Sequence, residues 1–262
     1  MTVSIIGSGH LAWHFIQVFE ENGIRVAELF TRKKSNARDL TGYAYDVQIQ
    51  THVDFSRSPS RFFILAVSDD AIASVAGEIR LPPGAILVHT SGSRPMRALL
   101  PALDRNERLG LGVFYPLMTF TRGVRVDFKK VPLCIEGDSE QTSALLMKLA
   151  GRVSGECRLI SSYQRSIFHV AAVFGCNFVN HLLALSKEIV EDEGLDFEMI
   201  KPLFTETFRK AMAAEHPADV QTGPAVREDS GTLALHQKLI KEDNDLLNVY
   251  KTLTQSIQDW HQ

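Results

Sequence analysis

A short apolar strand that runs straight into glycine opens the chain, and no other feature narrows the choice of fold as much. Val3 to Phe15 reads VSIIGSGHLAWHF. Val3, Ile5 and Ile6 are β-branched, Gly7 and Gly9 supply a turn, and Leu11 to Asn22 carries a helical apolar pattern. A strand that turns over glycine directly into a helix is the first half of a βαβ unit, and such units assemble parallel sheets. The pattern recurs. Strands are expected at RVAELFTR, RFFILAVS, AILVHTSGS, RLGLGVFYP and VPLCIEG. Helices are expected over Ser35–Leu40, from Asp69 and Asp70 through Ile79, and over Glu140–Val153, which leads to CRLI. Short buried β-branched runs alternating with amphipathic helices predict an α/β fold with a parallel, doubly wound sheet.

From about Ser161 the pattern changes. SSYQRSIFHVAAVFGCNFVNHLLALSKEIVEDEG holds no proline and one internal glycine. It therefore predicts a single helix of about eight turns. A second helix is expected over Phe197–Ala214, followed by the loop HPADVQTGPAVREDSG and by helices from Thr232 onward. The expected division is an α/β domain over residues 1–158 and an all-α C-terminal domain over residues 159–262.

At 262 residues the chain can bury a sizeable core. Its net charge of −3 offers no basic excess, so neither nucleic acid nor an anionic membrane surface is an expected partner. Cys134, Cys157 and Cys176 are scattered and lack C-x-x-C spacing. They fit a reducing compartment better than a disulfide framework or a zinc site, and no metal is expected. The N-terminus shows no basic leader, and no apolar stretch is read as approaching the ~20 residues of a membrane span. A cytoplasmic location is the expectation.

Within GSGHLA, Gly7, Gly9 and Ala12 fill a G-x-G-x-x-A pattern at the strand–helix junction. Gly7 permits the tight turn, Gly9 lets the backbone approach a pyrophosphate, and Ala12 allows close helix–strand packing. The free N–H groups of the helix start, around Ser8, Gly9, His10 and Leu11, suit phosphates. The alternative is a glycine turn that only packs. His10 either reaches the phosphate or faces solvent.

The end of the second strand discriminates between dinucleotides. An NAD-type site usually places an acid there, about 20 residues after the glycines, to hold the ribose 2′-hydroxyl. Here Glu28 lies two residues before Phe30, and the tip is Thr31, Arg32 and Lys33, followed by Ser35. A hydroxyl, a guanidinium and an ammonium suit a 2′-phosphate, so NADP is expected over NAD. A solvated basic turn is the alternative. Val67, Ser68 and Asp69 end the strand FFILAVSDD and are placed along the adenosine or nicotinamide-ribose side. Asp69 serves equally well as a helix N-cap.

HTSGS (His89 to Ser93) and FYPLMTF (Phe114 to Phe120) end the next two strands. They put His89, Ser91, Ser93, Tyr115 and Thr119 at the same rim, although Ser91 and Ser93 are also ordinary turn residues. No G-x-S-x-G elbow marks a serine hydrolase. On the long helix, at about 100° per residue, His169, Val173, Cys176, Asn177 and Asn180 share roughly a third of the circumference, with His181 at its edge. Polar groups among Phe, Val and Ala need partners. Substrate, a self-satisfied network and a subunit interface all qualify. In the later loop, Arg227, with Thr222, Asp229 and His236 nearby, can clamp a carboxylate or phosphate or form a surface Arg–Asp pair.

Taken together and in order, IIGSGHLA, HTSGS, GVFYPLMTF, HVAAVFGCNFVNHL and TGPAVRED followed by His236 resemble a known family. They are similar to the bacterial Rossmann-like proteins that carry a DUF2520 C-terminal domain, described as NADP-dependent oxidoreductases. That family is related to pyrroline-5-carboxylate reductases and F420-dependent NADP reductases. The resemblance spans nearly the whole chain. It implies an NADP-binding N-terminal domain and a helical C-terminal domain that builds a homodimer. Its motif positions fall on Gly7, Gly9, Thr31, Arg32, His89, Ser91, His169, Asn177, Asn180, His181, Arg227 and His236.

β-Hydroxyacid dehydrogenases of this architecture use a lysine and an asparagine one turn apart on the long helix. Here no lysine precedes Lys187 on that helix, and His169 is the nearest titratable group on the Asn177 face. His169 is the expected proton donor, because an ordinary imidazole titrates near 6.5. Asn177 or Asn180 then orients a carbonyl or imine, with Ser91, Arg227 and His236 as candidate substrate contacts. The expectation is an NADP-dependent reductase or dehydrogenase acting on a small molecule. A non-catalytic NADP-binding sensor or scaffold is the alternative, and a structural dimer that binds nothing is a third reading.

Overall fold

The computed structural model describes residues 1–262 apart from 38, 39, 41, 43, 45 and 262. It divides into two compact units, Met1–Val173 and Phe174–Gln262.

The first unit is built on one eight-stranded sheet. Its strands are β1 (Thr2–Ile6), β2 (Arg25–Phe30), β3 (Gln48–Gln50), β4 (Phe62–Leu65), β5 (Ile86–His89), β6 (Gly110–Pro116), β7 (Leu133–Gly137) and β8 (Cys157–Leu159). They lie in the order β3-β2-β1-β4-β5-β6-β7-β8. The chain leaves β1 in one direction and returns to its other side at β4, so the strand order reverses beside the glycine turn. Ligands of open α/β sheets bind at such a point, outside the carboxyl ends of the strands.

Alternation along the strands fills both faces. Val3, Ile5, Phe62, Ile64, Ile86 and Val88 pack with Phe15, Ile16 and Phe19 of α1 (His10–Glu21). Ile6, Phe63, Leu65 and Leu87 pack on the opposite face with Ile72 and Ala76 of α2 (Ile72–Glu78). Each such buried side chain stabilises the fold by roughly 1.5–3 kcal/mol. Helix α3 (Glu140–Val153) occupies the residues expected and is capped by Ser139, whose hydroxyl accepts from the Thr142 N–H.

Two local features depart from expectation. β6 and β7 pair antiparallel. The connection between them contains only the short 3-10 turn Phe128–Lys130, and a parallel crossover needs a longer covering element. The helix expected at Ser35–Leu40 is a 3-10 turn, Lys34–Ala37, and its residues 38 and 39 lie outside those described. Met96–Asp104, for which the sequence sets no expectation, forms a 3-10 segment, and Pro101 within it has no N–H for a longer-pitched ladder.

The first unit also contains helix α4 (Ser162–Ala172), opened by a full capping box between Ser161 and Gln164. A π turn, Val173–Phe178, follows it. The second unit contains α5 (Val179–Asp192), α6 (Lys201–Ala213), α7 (Ser230–Leu239) and α8 (Asn244–His261). No side chain described in these four helices is buried. Phe174 is 66% exposed, Met212 83% and Leu239 72%.

The reading that no apolar stretch is long enough for a membrane is corrected. The helical run Ser162–Asp192 spans 31 residues, with a mean hydropathy of 1.5 over its most apolar window, so by length and composition it is long and apolar enough. No Asp, Glu, Lys or Arg interrupts it between Arg165 and Lys187. Dispersed Ser, His and Asn residues disguise that continuity.

Candidate functional site

The glycine turn is shaped for close approach of a ligand. Gly7 has φ +126, and a Cβ there would fall 2.1 Å from the Ala66 carbonyl oxygen. Only glycine fits. Its N–H donates to the Phe30 carbonyl at 3.0 Å, which ties the turn to the tip of β2. Gly9 has open space where its Cβ would be. It is also the N-cap of α1 and offers no side-chain cap, so the first N–H groups of that helix remain available to an anion. The turn opens on a cleft of about 620 Å³ lined by Gly7, Ser8, Gly9, Thr31, Arg32 and Asn36, with Val67 and Ser68 on the facing wall.

At the tip, the Ser8 and Thr31 hydroxyls lie 2.9 Å apart, and Thr31 Oγ1 donates to the Lys33 carbonyl at 3.1 Å. This pins the basic turn against the glycine loop. Arg32 and Asn36 complete the lining, whereas Lys33 and Ser35 are exposed and lie off it. Asn36 escaped the sequence reading because its 3-10 turn has no periodic signature. Glu28 is committed elsewhere. Its buried carboxylate accepts from Ser4 Oγ at 2.6 Å, from Gln50 Nε2 at 2.8 Å and from the Ser58 hydroxyl. No carboxylate of β2 is therefore left at the tip to repel a phosphate. The residues present fit a dinucleotide that carries a 2′-phosphate.

His10 is exposed, as the solvent-facing alternative expects. Its Nδ1 lies 3.2 Å from the Phe120 carbonyl. Leu11 packs against the hydrophobic core. Asp69 does not cap a helix. Its Oδ2 accepts from Ser91 Oγ at 2.7 Å and Ser93 Oγ at 2.6 Å, which cross-links the ends of β4 and β5. Ser91 Oγ also accepts from the Ser93 and Arg94 N–H groups, so its hydroxyl is fully engaged within the turn. His89 is fully buried, and its Nδ1 accepts from the Ser91 N–H at 3.2 Å. Burial, reinforced by the Arg165 guanidinium, holds its pKa down at about 4, so the imidazole is neutral at physiological pH.

One residue that sequence reasoning passed over organises this rim. Arg165 on α4 is 1% exposed. Its Nε donates to the Ser91 carbonyl at 3.1 Å, its Nη2 to the Arg94 carbonyl at 2.6 Å, and its Nη1 to Glu136 Oε2 at 2.6 Å. The signal available in sequence was a lone arginine in an otherwise uncharged helical run. One turn further along, His169 Nδ1 lies 3.3 Å from Tyr115 Oη at the carboxyl end of β6. Thr119 lies beyond that strand and is exposed.

Asn177 and Asn180 belong to the second unit, Asn177 within the π turn and Asn180 on α5, and both are exposed. A π turn closes i→i+5 bonds, so a face drawn at 3.6 residues per turn does not carry across residues 173–178. In the same unit, His236 Nδ1 lies 2.9 Å from Tyr250 Oη. Asp229 caps α7 by accepting from the Thr232 N–H and hydroxyl. Exposed Arg227 makes no ion pair among the described residues, so the surface Arg–Asp pair is not formed.

The sheet order, the glycine cradle and its uncapped helix define a Rossmann-type protein with a dinucleotide cradle. Residues 131–257 match the family described as Domain of unknown function (DUF2520). A Bacteroides fragilis protein named as a candidate NADP oxidoreductase is 32% identical to the chain. It is covered over 98% of each chain, with a TM-score of 0.88. The chain belongs to this DUF2520 family of Rossmann-type proteins. Two more distant structures share the fold. One is a reductive aminase from Aspergillus terreus in complex with NADPH and ethyl-5-oxohexanoate, 14% identical over 97% of this chain and 92% of that one, with a TM-score of 0.72. The other is an imine reductase from Myxococcus stipitatus in complex with NADP+, 15% identical over 99% of this chain and 93% of that one, with a TM-score of 0.67. No curated protein matches the chain.

Proposed function

We propose that the protein is a cytoplasmic NADP-dependent reductase of small carbonyl or imine substrates. One observation carries this reading. The glycine turn, Arg32 and Asn36 line one cleft at the strand-order reversal, while the carboxylate of Glu28 is locked inside the sheet. Gly7, Ser8 and Gly9 would hold the pyrophosphate, and Thr31, Arg32 and Asn36 the 2′-phosphate. When bound, NADPH supplies a hydride to the carbon of a C=O or C=N group. The protein's own part is to deliver a proton, with His169 as the proton source. Arg227 and His236 are retained as candidate substrate contacts. The named ligands of the fungal and bacterial enzymes that share the fold support this choice of chemistry.

A homodimer belongs to the same proposal. The helical unit has apolar side chains exposed along α5 to α8, and Phe174 and Phe178 stack edge to face on its surface at 5.0 Å. Covering that surface with a second copy removes the cost of exposing it to water. Residues 1–158 would bind cofactor and residues 159–262 would build the dimer and bound the substrate. Titration of the purified protein with NADPH and NADH tests the cofactor assignment. NADPH binding at least about tenfold tighter supports it, and binding of neither rejects it.

A further inference from the structure

Two rings and a bare Cα meet at the carboxyl end of β6. Tyr115 Oη lies 3.3 Å from His169 Nδ1, and the rings stand edge to face with centroids 6.2 Å apart. Gly92 sits under both. A Cβ on Gly92 would fall 2.5 Å from His169 Nδ1 and 2.9 Å from Tyr115 Cζ. The backbone of Gly92 is held on either side, because Arg165 takes the carbonyls of Ser91 and Arg94. Arg165 rides on the same helix as His169, so one buried guanidinium fixes both the glycine and the ring that rests on it.

Nδ1 of His169 is therefore committed to the phenol. A phenol, with an ordinary pKa near 10, is a weak proton donor alone at neutral pH, whereas an imidazole near 6.5 is a good one. Hydrogen-bonded together, the two can pass a proton in sequence. The charged and titratable groups on the surrounding elements are otherwise engaged. Arg165 and Glu136 pair with each other, Asp69 holds Ser91 and Ser93, and His89 is neutral.

We propose that Tyr115 and His169 act as one proton-handling pair seated on Gly92, with Tyr115 as the delivering group. This rests on the reductase reading above. The Tyr115 O–H bond breaks as the product N–H or O–H bond forms. The proton on Nδ1 of the His169 imidazolium then moves to the phenolate oxygen, and the imidazole recovers a proton from water. The electron pair gained by the substrate carbon is the hydride of the dihydronicotinamide, so the balance closes.

The test places 3-fluorotyrosine at position 115 and follows its fluorine resonance by NMR on the protein without cofactor. At one fixed pH the resonance is expected to shift in His169→Asn and in Gly92→Ala, which remove or displace the imidazole facing the phenol. A resonance at the same position in the unaltered protein and in His169→Asn overturns the pair. With NADPH and ethyl 5-oxohexanoate as probe, Tyr115→Phe is expected to lower kcat about 100-fold with KM nearly unchanged. A kcat close to that of the unaltered protein overturns the delivering role. Failure of the unaltered protein to bind NADPH rejects the reductase reading, whereas a fluorine resonance unmoved by His169→Asn rejects only the pair.

Discussion

Arg165 Nη1 donates to Glu136 Oε2 across 2.6 Å, and the arginine is almost completely sealed from water. A guanidinium buried this deeply is tolerated because all three of its nitrogens find oxygen acceptors. Removing it leaves a carboxylate and two carbonyls short of a donor. Arg165→Ala is expected to lower the unfolding free energy by about 3–5 kcal/mol, measured by urea denaturation. A loss below about 1 kcal/mol would show that the rim does not depend on this arginine.

The two glycines of the cradle are expected to separate folding from binding. Gly7→Ala meets the Ala66 carbonyl and a positive φ, so its folded state should be lost or strongly destabilised. Gly9→Ala enters open space at ordinary φ. Thermal unfolding of Gly9→Ala should match the parent, while its Kd for NADPH rises by about tenfold or more as the methyl group crowds the phosphate position. Equal NADPH affinity in Gly9→Ala and parent would place the dinucleotide elsewhere.

Stability should fall in mild acid because of His89. Burial, aided by Arg165, sets its folded pKa at about 4, against an ordinary 6.5 for an exposed histidine. Between those values the unfolded chain binds a proton that the folded chain refuses. Stability therefore rises with pH across this window and is lost as pH drops from 6.5 toward 4. At pH 5 the loss amounts to about 2 kcal/mol. His14, whose pKa is also lowered mainly by burial, adds in the same sense. Denaturant midpoints at pH 7 and pH 5 should converge in His89→Gln, and an unchanged gap would contradict the assignment.

The helical unit should dimerise through its apolar surface. Light scattering is expected to give twice the mass of the chain, and Phe174→Glu combined with Phe178→Glu is expected to shift it toward the monomer. A monomeric parent protein would remove the dimer from the account.

Strand and helix positions were legible where one force dominates. β1, β4 and β5 are buried on both faces, so their apolar runs speak for themselves, and Glu140–Val153 carries both its cap and its period. Gly7 was legible for a similar reason, since its positive φ and the Ala66 carbonyl beside it admit no other residue. What stayed hidden depends on contacts distant in sequence. The closure of Ser91, Ser93 and Asp69 into one cluster, and of Tyr115 onto His169, joins residues separated by 22 and 54 positions. Arg165 is a lone charge near a helix start in the sequence, and only the fold reveals the acceptors around it. The antiparallel β6–β7 pair was hidden because strand direction is set by the connection, not by the strand's own residues.

The central claim is that the basic tip of β2 selects a 2′-phosphate, and parallel titrations with NADPH and NADH test it most directly. In the parent protein NADPH should bind more tightly. In Arg32→Ala the NADPH affinity should fall by about 10- to 100-fold, the worth of a hydrogen bond to a charged group, with NADH affinity nearly unchanged. Equal affinity for both dinucleotides in the parent, or an equal loss for both in Arg32→Ala, would contradict it.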